Sequence, residues 1–157
     1  ARLSDYGATF ATIHGNQALM EKASENKNNL KILAVTALTS LDRGDLDDLG
    51  FECDVQDLVI SRAKRAFDAG CDGIVSSGLE VPFIREYVNN KLICVTPGIR
   101  PVSNDDDQKR VVDVATAFKS GSDYIVVGRP IKNAKNRYEA ASNIQNTIKK
   151  TVESVSP

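Results

Sequence analysis

Short apolar runs alternate along the chain with longer amphipathic stretches. The runs span residues 9–13, 32–38, 73–75, 92–95 and 124–127, and they are rich in Ile and Val. Several are continuously apolar, which is typical of strands buried on both faces of a parallel sheet. Because parallel strands need a long crossover between them, this pattern predicts an α/β protein with about five βα units.

Helical periodicity fills the segments between the predicted strands. After Asp54, which we predict to be an N-cap in a capping box with Asp57, apolar residues recur at intervals of three and four until Gly70. Further helices are predicted around residues 19–23, after Pro82, over 111–121 and over 138–152. The alternation predicts right-handed βαβ units around one parallel sheet.

Composition and charge exclude several classes of function. Twenty basic and 21 acidic side chains leave a net charge of -1, so the basic surface of a nucleic-acid-binding protein is absent. No apolar run approaches the roughly 18 residues of a membrane helix. Three cysteines without CxxC spacing favour reduced thiols in a cytoplasmic protein. The 157 residues form one domain but are too few for a complete (β/α)8 barrel, which takes roughly 200 or more.

Each predicted strand runs into small, hydroxylated or basic residues at its carboxyl end, where parallel α/β proteins bind ligands. Arg100 and Arg129 follow glycines at the ends of the last two strands. A glycine lets backbone N–H groups approach a phosphate, and a guanidinium group can bind two of its oxygens. The sequence predicts an anion site at Gly128-Arg129, although glycine and proline are also ordinary turn residues.

Three segments carry a family resemblance: KILAVTALTS over residues 31–40, TPGIRP over 96–101 followed by Asp107-Gln108, and YIVVGRP over 124–130. In this order and spacing they resemble the bacterial branch of the orotidine 5'-phosphate decarboxylase family, over nearly the whole chain. That family folds as a (β/α)8 TIM barrel. It converts orotidine 5'-phosphate (OMP) to UMP and CO2 in pyrimidine biosynthesis, without a cofactor or metal.

The resemblance implies a role for seven residues. Arg129 and the Gly128 amide would hold the 5'-phosphate, with Arg100 nearby. Gln108 would reach toward both the phosphate and the pyrimidine. The remaining three would line the pyrimidine and ribose side: Thr39, Ser40 and Pro97.

The chain departs from the family at the catalytic residues. An Asp-x-Lys-x-x-Asp motif supplies the family's proton-donating lysine, and no lysine of this sequence has that context; Lys109 follows Asp107 but precedes Val112. We therefore expect residues 1–157 to be the C-terminal part of a barrel domain that lacks about the first three βα units. No residue is predicted to be catalytic, and the chain alone is expected to be inactive.

The open sheet edges of such a partial barrel would favour a homo-oligomer or a complementing N-terminal segment. Two alternatives remain at this point. One is a non-catalytic remnant that binds a nucleotide phosphate or has lost its function. The other is a different phosphate-binding barrel, which the spacing of the TPGIRP and Asp-Gln motifs disfavours.

Overall fold

A computed structural model describes residues 2–100 and 109–155 and confirms the α/β prediction. Within this part of the chain, five parallel strands form one sheet: β1 Phe10–His14, β2 Lys31–Val35, β3 Gly73–Val75, β4 Ile93–Thr96 and β5 Tyr124–Ile125. The helices of the same residues are α1 Arg2–Asp5, α2 Gln17–Glu25, α3 Arg43–Asp48, α4 Val55–Asp68, α5 Val81–Val88, α6 Val114–Lys119, α7 Arg129–Lys132 and α8 Arg137–Val155.

The strands lie in the sheet in the order in which they occur in the chain. Because right-handed crossovers that always step in one direction place every helix on the same face, the other face is left as an interior. A doubly wound fold would instead reverse its strand order. The order therefore indicates part of a barrel.

Side chains alternate between the two faces of the sheet. Ile32, Ala34, Ile74 and Cys94 belong to the main core, where they pack with buried residues of α2, α4 and α5. A second core joins α6 and α8 to β5. The prediction of amphipathic crossover helices is confirmed by α4, whose buried residues are Leu58, Val59, Ala63 and Ala66.

A short helix, α3, was missed in the sequence, where Arg43-Gly44-Asp45 suggests only a loop. Its N-cap, Asp42, forms a capping box with Asp45, and Leu46 is fully buried. Six residues with one glycine and three aspartates give no helical periodicity, so capping and burial determine this helix rather than propensity.

The predicted capping box at Asp54 and Asp57 is wrong. Asp54 is the N-cap of α4, but its side chain makes no capping hydrogen bond. Its carboxylate lies 3.8 Å from the guanidinium group of Arg43 instead. The apolar stripe of α8 is also shorter than predicted, because Tyr138 is 83 % exposed while Ile144 and Ile148 reach the second core.

The two edge strands approach each other at the amino end of the interior. The rings of Phe10 in β1 and Tyr124 in β5 are 5.4 Å apart in an edge-to-face contact. Since β1 and β5 are not neighbours in the sheet, this contact shows that the sheet curls. No helix in the described ranges is long and apolar enough to span a membrane.

Candidate functional site

A cavity of about 310 Å³ lies where β2 to β5 end. It brings together five of the seven residues singled out in the sequence: Thr39, Pro97, Arg100, Gly128 and Arg129. Besides Pro97, its apolar walls come from residues not singled out in the sequence, including Val35, Val75 and Val126. Ser40 lies in the turn beside Thr39 but does not line the cavity. Gln108 falls outside the described residues.

The loop after β4 is fixed by a short parallel bridge. Ile99 pairs with Val112, and the Arg100 amide donates to the Val112 carbonyl at 3.0 Å. Gly98 turns the chain with a φ of 75°, a conformation that favours glycine. The Arg100 side chain is 7 % exposed and donates to the Ile99 carbonyl at 2.9 Å. A guanidinium group is thus held in a sheltered position at the cavity.

The end of β5 gives an open approach to the backbone. An ideal Cβ on Gly128 would meet no atom within 4 Å among the described residues. No described residue therefore fills the space in front of this glycine, and Arg129 begins α7 directly after it. This arrangement can place a backbone N–H and a guanidinium group on one anion.

The loop after β2 also lines the cavity, and β3 and β4 separate it from the end of β5. Thr39 is 8 % exposed. Arg62 of α4 donates from its guanidinium group to the Thr36 carbonyl, so helix α4 holds the start of this loop. A threonine hydroxyl in such a sheltered position can both donate and accept a hydrogen bond.

Sequence reasoning missed a buried ion pair behind this loop. Arg110 Nη1 lies 2.7 Å from Glu80 Oε1, and both side chains are at least 90 % buried. A glutamate in the segment after β3 and an arginine after the Gln108-Lys109 pair were the available signals. The sequence does not indicate that the two residues pair, because they lie 30 residues apart in the chain.

A second ion cluster joins the end of the β4 loop to α3. Lys109 Nζ lies 2.7 Å from Asp42 Oδ2 and 2.9 Å from Asp45 Oδ2. The hydrogen bond from Lys109, helped by the Asp45 amide, lowers the pKa of Asp42 from 3.8 to about 2. The same contacts raise the pKa of Lys109.

These contacts predict an acid-dependent loss of stability. A carboxylate whose pKa is lowered by folding stabilises the native state above its unfolded pKa, and this contribution disappears as the pH falls through the folded pKa. We therefore expect the Asp42 contribution to be complete above about pH 3.8 and lost toward pH 2. An NMR titration of the Asp42 carboxyl group should give a pKa of about 2, returning toward 3.8 in Lys109→Met. An unchanged pKa in that variant would remove Lys109 as the cause.

Two other cavities have different chemistry. One of about 510 Å³ between α6 and α8 is lined mainly by apolar groups such as Val114, Pro130 and Ile144. Another of about 430 Å³ beside the end of β1 contains His14, Arg62 and Arg65. The cavity at Arg129 differs from both because the loops after several strands converge there, which is the usual ligand position in such folds.

No group of three potential metal ligands occurs among residues 2–100 and 109–155. The acidic run Asp105-Asp106-Asp107 lies outside these ranges. The groups at the cavity are guanidinium, hydroxyl, amide and aliphatic groups, which suit an anionic organic ligand better than a cation.

The family model and the similar proteins carry the same family name. The family model of orotidine 5'-phosphate decarboxylase / HUMPS proteins matches residues 1–144. A protein named orotidine 5'-phosphate decarboxylase from Methylococcus capsulatus is 62 % identical over 149 residues, which cover 94 % of this chain and 62 % of that protein. One of the same name from Nitrobacter winogradskyi is 46 % identical over 92 % of this chain and 61 % of its own length.

The fold comparison agrees with the sequence comparison. The crystal structure of orotidine 5'-phosphate decarboxylase from Lactobacillus acidophilus matches with a TM-score of 0.77 at 31 % identity, over 93 % of this chain and 66 % of that structure. The predicted partial TIM barrel is confirmed by this match and by the parallel sheet. The chain spans about 62 % of the length of the curated relatives it matches. It belongs to the orotidine 5'-phosphate decarboxylase / HUMPS family.

Proposed function

We propose that residues 1–157 are the C-terminal, substrate-binding part of an orotidine 5'-phosphate decarboxylase, which converts OMP to UMP and CO2. The observation that carries this proposal is the single cavity that joins Arg100, Gly128 and Arg129 to Thr39. A nucleoside monophosphate has an anionic phosphate at one end and a polar ring at the other. The two arginines and Gly128 suit the phosphate, and Thr39 suits the ring.

The anionic end is matched by the β4 and β5 loops. The Gly128 amide and the Arg129 guanidinium group would bind the 5'-phosphate, with Arg100 beside them. Hydrogen bonds between charged partners are stronger than neutral ones. They gain further strength where water is excluded, as around the sheltered Arg100 side chain.

The ring end is matched by the β2 loop and the interior walls. Thr39 would contact the pyrimidine and ribose from the cavity wall, with Ser40 beside it in the turn, and Pro97 would supply an apolar surface beside the ring. Gln108 would reach toward both ends of the ligand. Val35 and Val75 extend the apolar surface at the bottom of the cavity.

Binding alone does not decarboxylate OMP. Loss of CO2 leaves electron density on the ring carbon, which must then receive a proton. The family uses a lysine between two aspartates, and the sequence contains no Asp-x-Lys-x-x-Asp. Interactions with the phosphate that stabilise substrate and transition state equally lower KM without raising kcat. We therefore expect nucleotide binding without turnover.

The missing catalytic lysine would come from a polypeptide segment outside residues 1–157. The relatives are longer than the matched region, and the outer edges of β1 and β5 pair with no strand among the described residues. Such edges expose unpaired N–H and C=O groups. We propose that an N-terminal segment or a second copy covers them.

The proposed place of action is the cytoplasm, where the three free thiols stay reduced.

The open edges predict self-association of the purified 157-residue chain. Light scattering should show a mass above the 17.0 kDa of one chain, increasing with protein concentration. A monodisperse monomer at all concentrations would contradict the need for edge partners.

The test of the proposed function measures binding and turnover separately. UMP binding is measured by calorimetry, and OMP decarboxylation by the loss of its ultraviolet absorbance. The chain should bind UMP but show no turnover, and adding the N-terminal segment of the Methylococcus capsulatus relative should produce turnover that Arg129→Ala reduces. Binding without restored turnover would favour the non-catalytic remnant. Absence of UMP binding would overturn the proposed function.

A further inference from the structure

Three consecutive residues of the cavity wall are held by one arginine. Arg110 Nη2 donates to the Leu38 carbonyl at 2.7 Å and lies 3.4 Å from the Ala37 carbonyl. The Arg110 backbone N–H donates to the Thr39 carbonyl at 3.2 Å. Ala37, Leu38 and Thr39 all line the cavity, whereas Arg110 does not.

The arginine is itself fixed from behind. Glu80, the N-cap residue of α5, binds Arg110 Nη1 through Oε1 at 2.7 Å. Ser77 Oγ lies 3.4 Å from the Arg110 carbonyl and accepts from the Leu79 amide at 3.2 Å. The loops after β2, β3 and β4 are thus joined at a single side chain.

Burying this ion pair costs solvation free energy, so stability of the fold alone does not explain its presence. Arg110 is 8 % and Glu80 is 5 % exposed, and within residues 2–100 and 109–155 neither Arg110 Nε nor Glu80 Oε2 has a hydrogen-bond partner. Replacing a buried ion pair with apolar residues of similar volume is often neutral or stabilising. A pair that is incompletely satisfied yet holds three residues of a binding wall fits a role in geometry.

We propose that Arg110, oriented by Glu80, is a positioning residue that fixes residues 37–39 in the conformation that binds the ring end of a nucleotide. This inference rests on the proposed function and adds a residue that acts without touching the ligand. It predicts a selective effect, because residues 37–39 follow β2, which β3 and β4 separate from the strand that ends before Gly128-Arg129. Losing Arg110 should weaken binding of the ring end and leave the phosphate end intact.

The test compares the buried Arg110 with Arg85, a half-buried arginine that also donates to several carbonyls. In Arg110→Lys the positive charge remains, but one ammonium group cannot replace the planar fork that joins Glu80 to the Leu38 and Ala37 carbonyls. Arg85→Lys is the matched control. Arg85 donates to the carbonyls of Gly121 and Leu92 and pairs with Asp123 at 2.8 Å, at the opposite end of the strands.

Calorimetry with UMP and with inorganic phosphate gives the readout, and thermal unfolding reports stability. Arg110→Lys should weaken UMP binding about tenfold, the scale of lost hydrogen bonds to a charged group, and change phosphate binding less than about twofold. Arg85→Lys should lower the unfolding temperature but leave both dissociation constants unchanged. Equal weakening of UMP and phosphate, or equal weakening by Arg85→Lys, would show a global structural role and overturn the inference.

A second variant keeps the inference testable if Arg110→Lys does not fold. The double variant Glu80→Met/Arg110→Met removes both charges at similar volume, so it should fold and still lose UMP affinity selectively. Wild-type UMP affinity in either folded variant would overturn the inference alone. Absence of UMP binding by the wild-type chain would instead overturn the proposed function and the inference with it.

Discussion

Replacing Arg129 with alanine is expected to weaken UMP binding by about 1.5–3 kcal/mol, or roughly 10- to 150-fold in the dissociation constant. Arg129 stands at the cavity directly after Gly128, whose open face lets an anion approach the backbone. Alanine removes the planar pair of N–H donors that a phosphate can bind. Calorimetric titration of the 157-residue chain with UMP measures the change.

Two further variants separate charge from geometry. Arg129→Lys keeps a positive charge without the bidentate fork, so it should lie between wild type and Arg129→Ala. Arg137→Ala removes an exposed arginine of α8 that donates to the Lys132 carbonyl, and it should leave the affinity unchanged. An unchanged dissociation constant in Arg129→Ala would exclude Arg129 from the binding site.

Gly73→Ala is expected to destabilise the fold by about 1–3 kcal/mol, the usual cost of overpacking. A Cβ at Gly73 would overlap the Ile93 carbonyl oxygen and lie 2.7 Å from Leu33 Cδ2 and 2.8 Å from Ile93 Cβ. Gly73 pairs with Leu33 on one side and Ile93 on the other, so at least one neighbouring strand must move. Urea unfolding of the two proteins measures the difference.

Gly44→Ala is the control for glycine replacement as such. Gly44 lies in α3, and among the residues that the structure describes an added Cβ would meet only Asp42 Oδ1, at 3.4 Å. Alanine favours helix over glycine by up to about 1 kcal/mol, so stability should stay equal or rise. Equal stability of wild type and Gly73→Ala would contradict the close packing of β2, β3 and β4.

Much of the fold could be predicted from the sequence because its strands are buried and continuously apolar. The positions of β1 to β5 followed from that pattern, although β2 ends at Val35 rather than at residue 38 and β5 ends at Ile125 rather than at residue 127. Its last paired residue, Val35, lies opposite Val75 at the end of β3. Short helices such as α3 could not be predicted, since capping and one buried leucine determine them.

The candidate site, like the fold, could be predicted from the sequence only in part. Glycines followed by arginines gave a local signal that pointed to Arg100 and Arg129. Glu80 and Arg110 gave no such signal, because their meaning comes from a contact between separate loops. The aliphatic wall residues were visible as strand residues, but the sequence did not show which of them would end at the cavity.

The strand order has a consequence for how the chain folds. From β2 to β5, each strand pairs with the strand that precedes it in the chain, so every hydrogen-bonded strand pair closes within one βα unit. Such nearest-neighbour pairing lowers contact order and lets structure grow by successive addition, as in repeat proteins. A chain emerging from the ribosome can therefore add β5 to an already paired β1–β4 sheet. Growth at either edge leaves the existing ladders intact, which makes this architecture tolerant of being assembled from separate pieces.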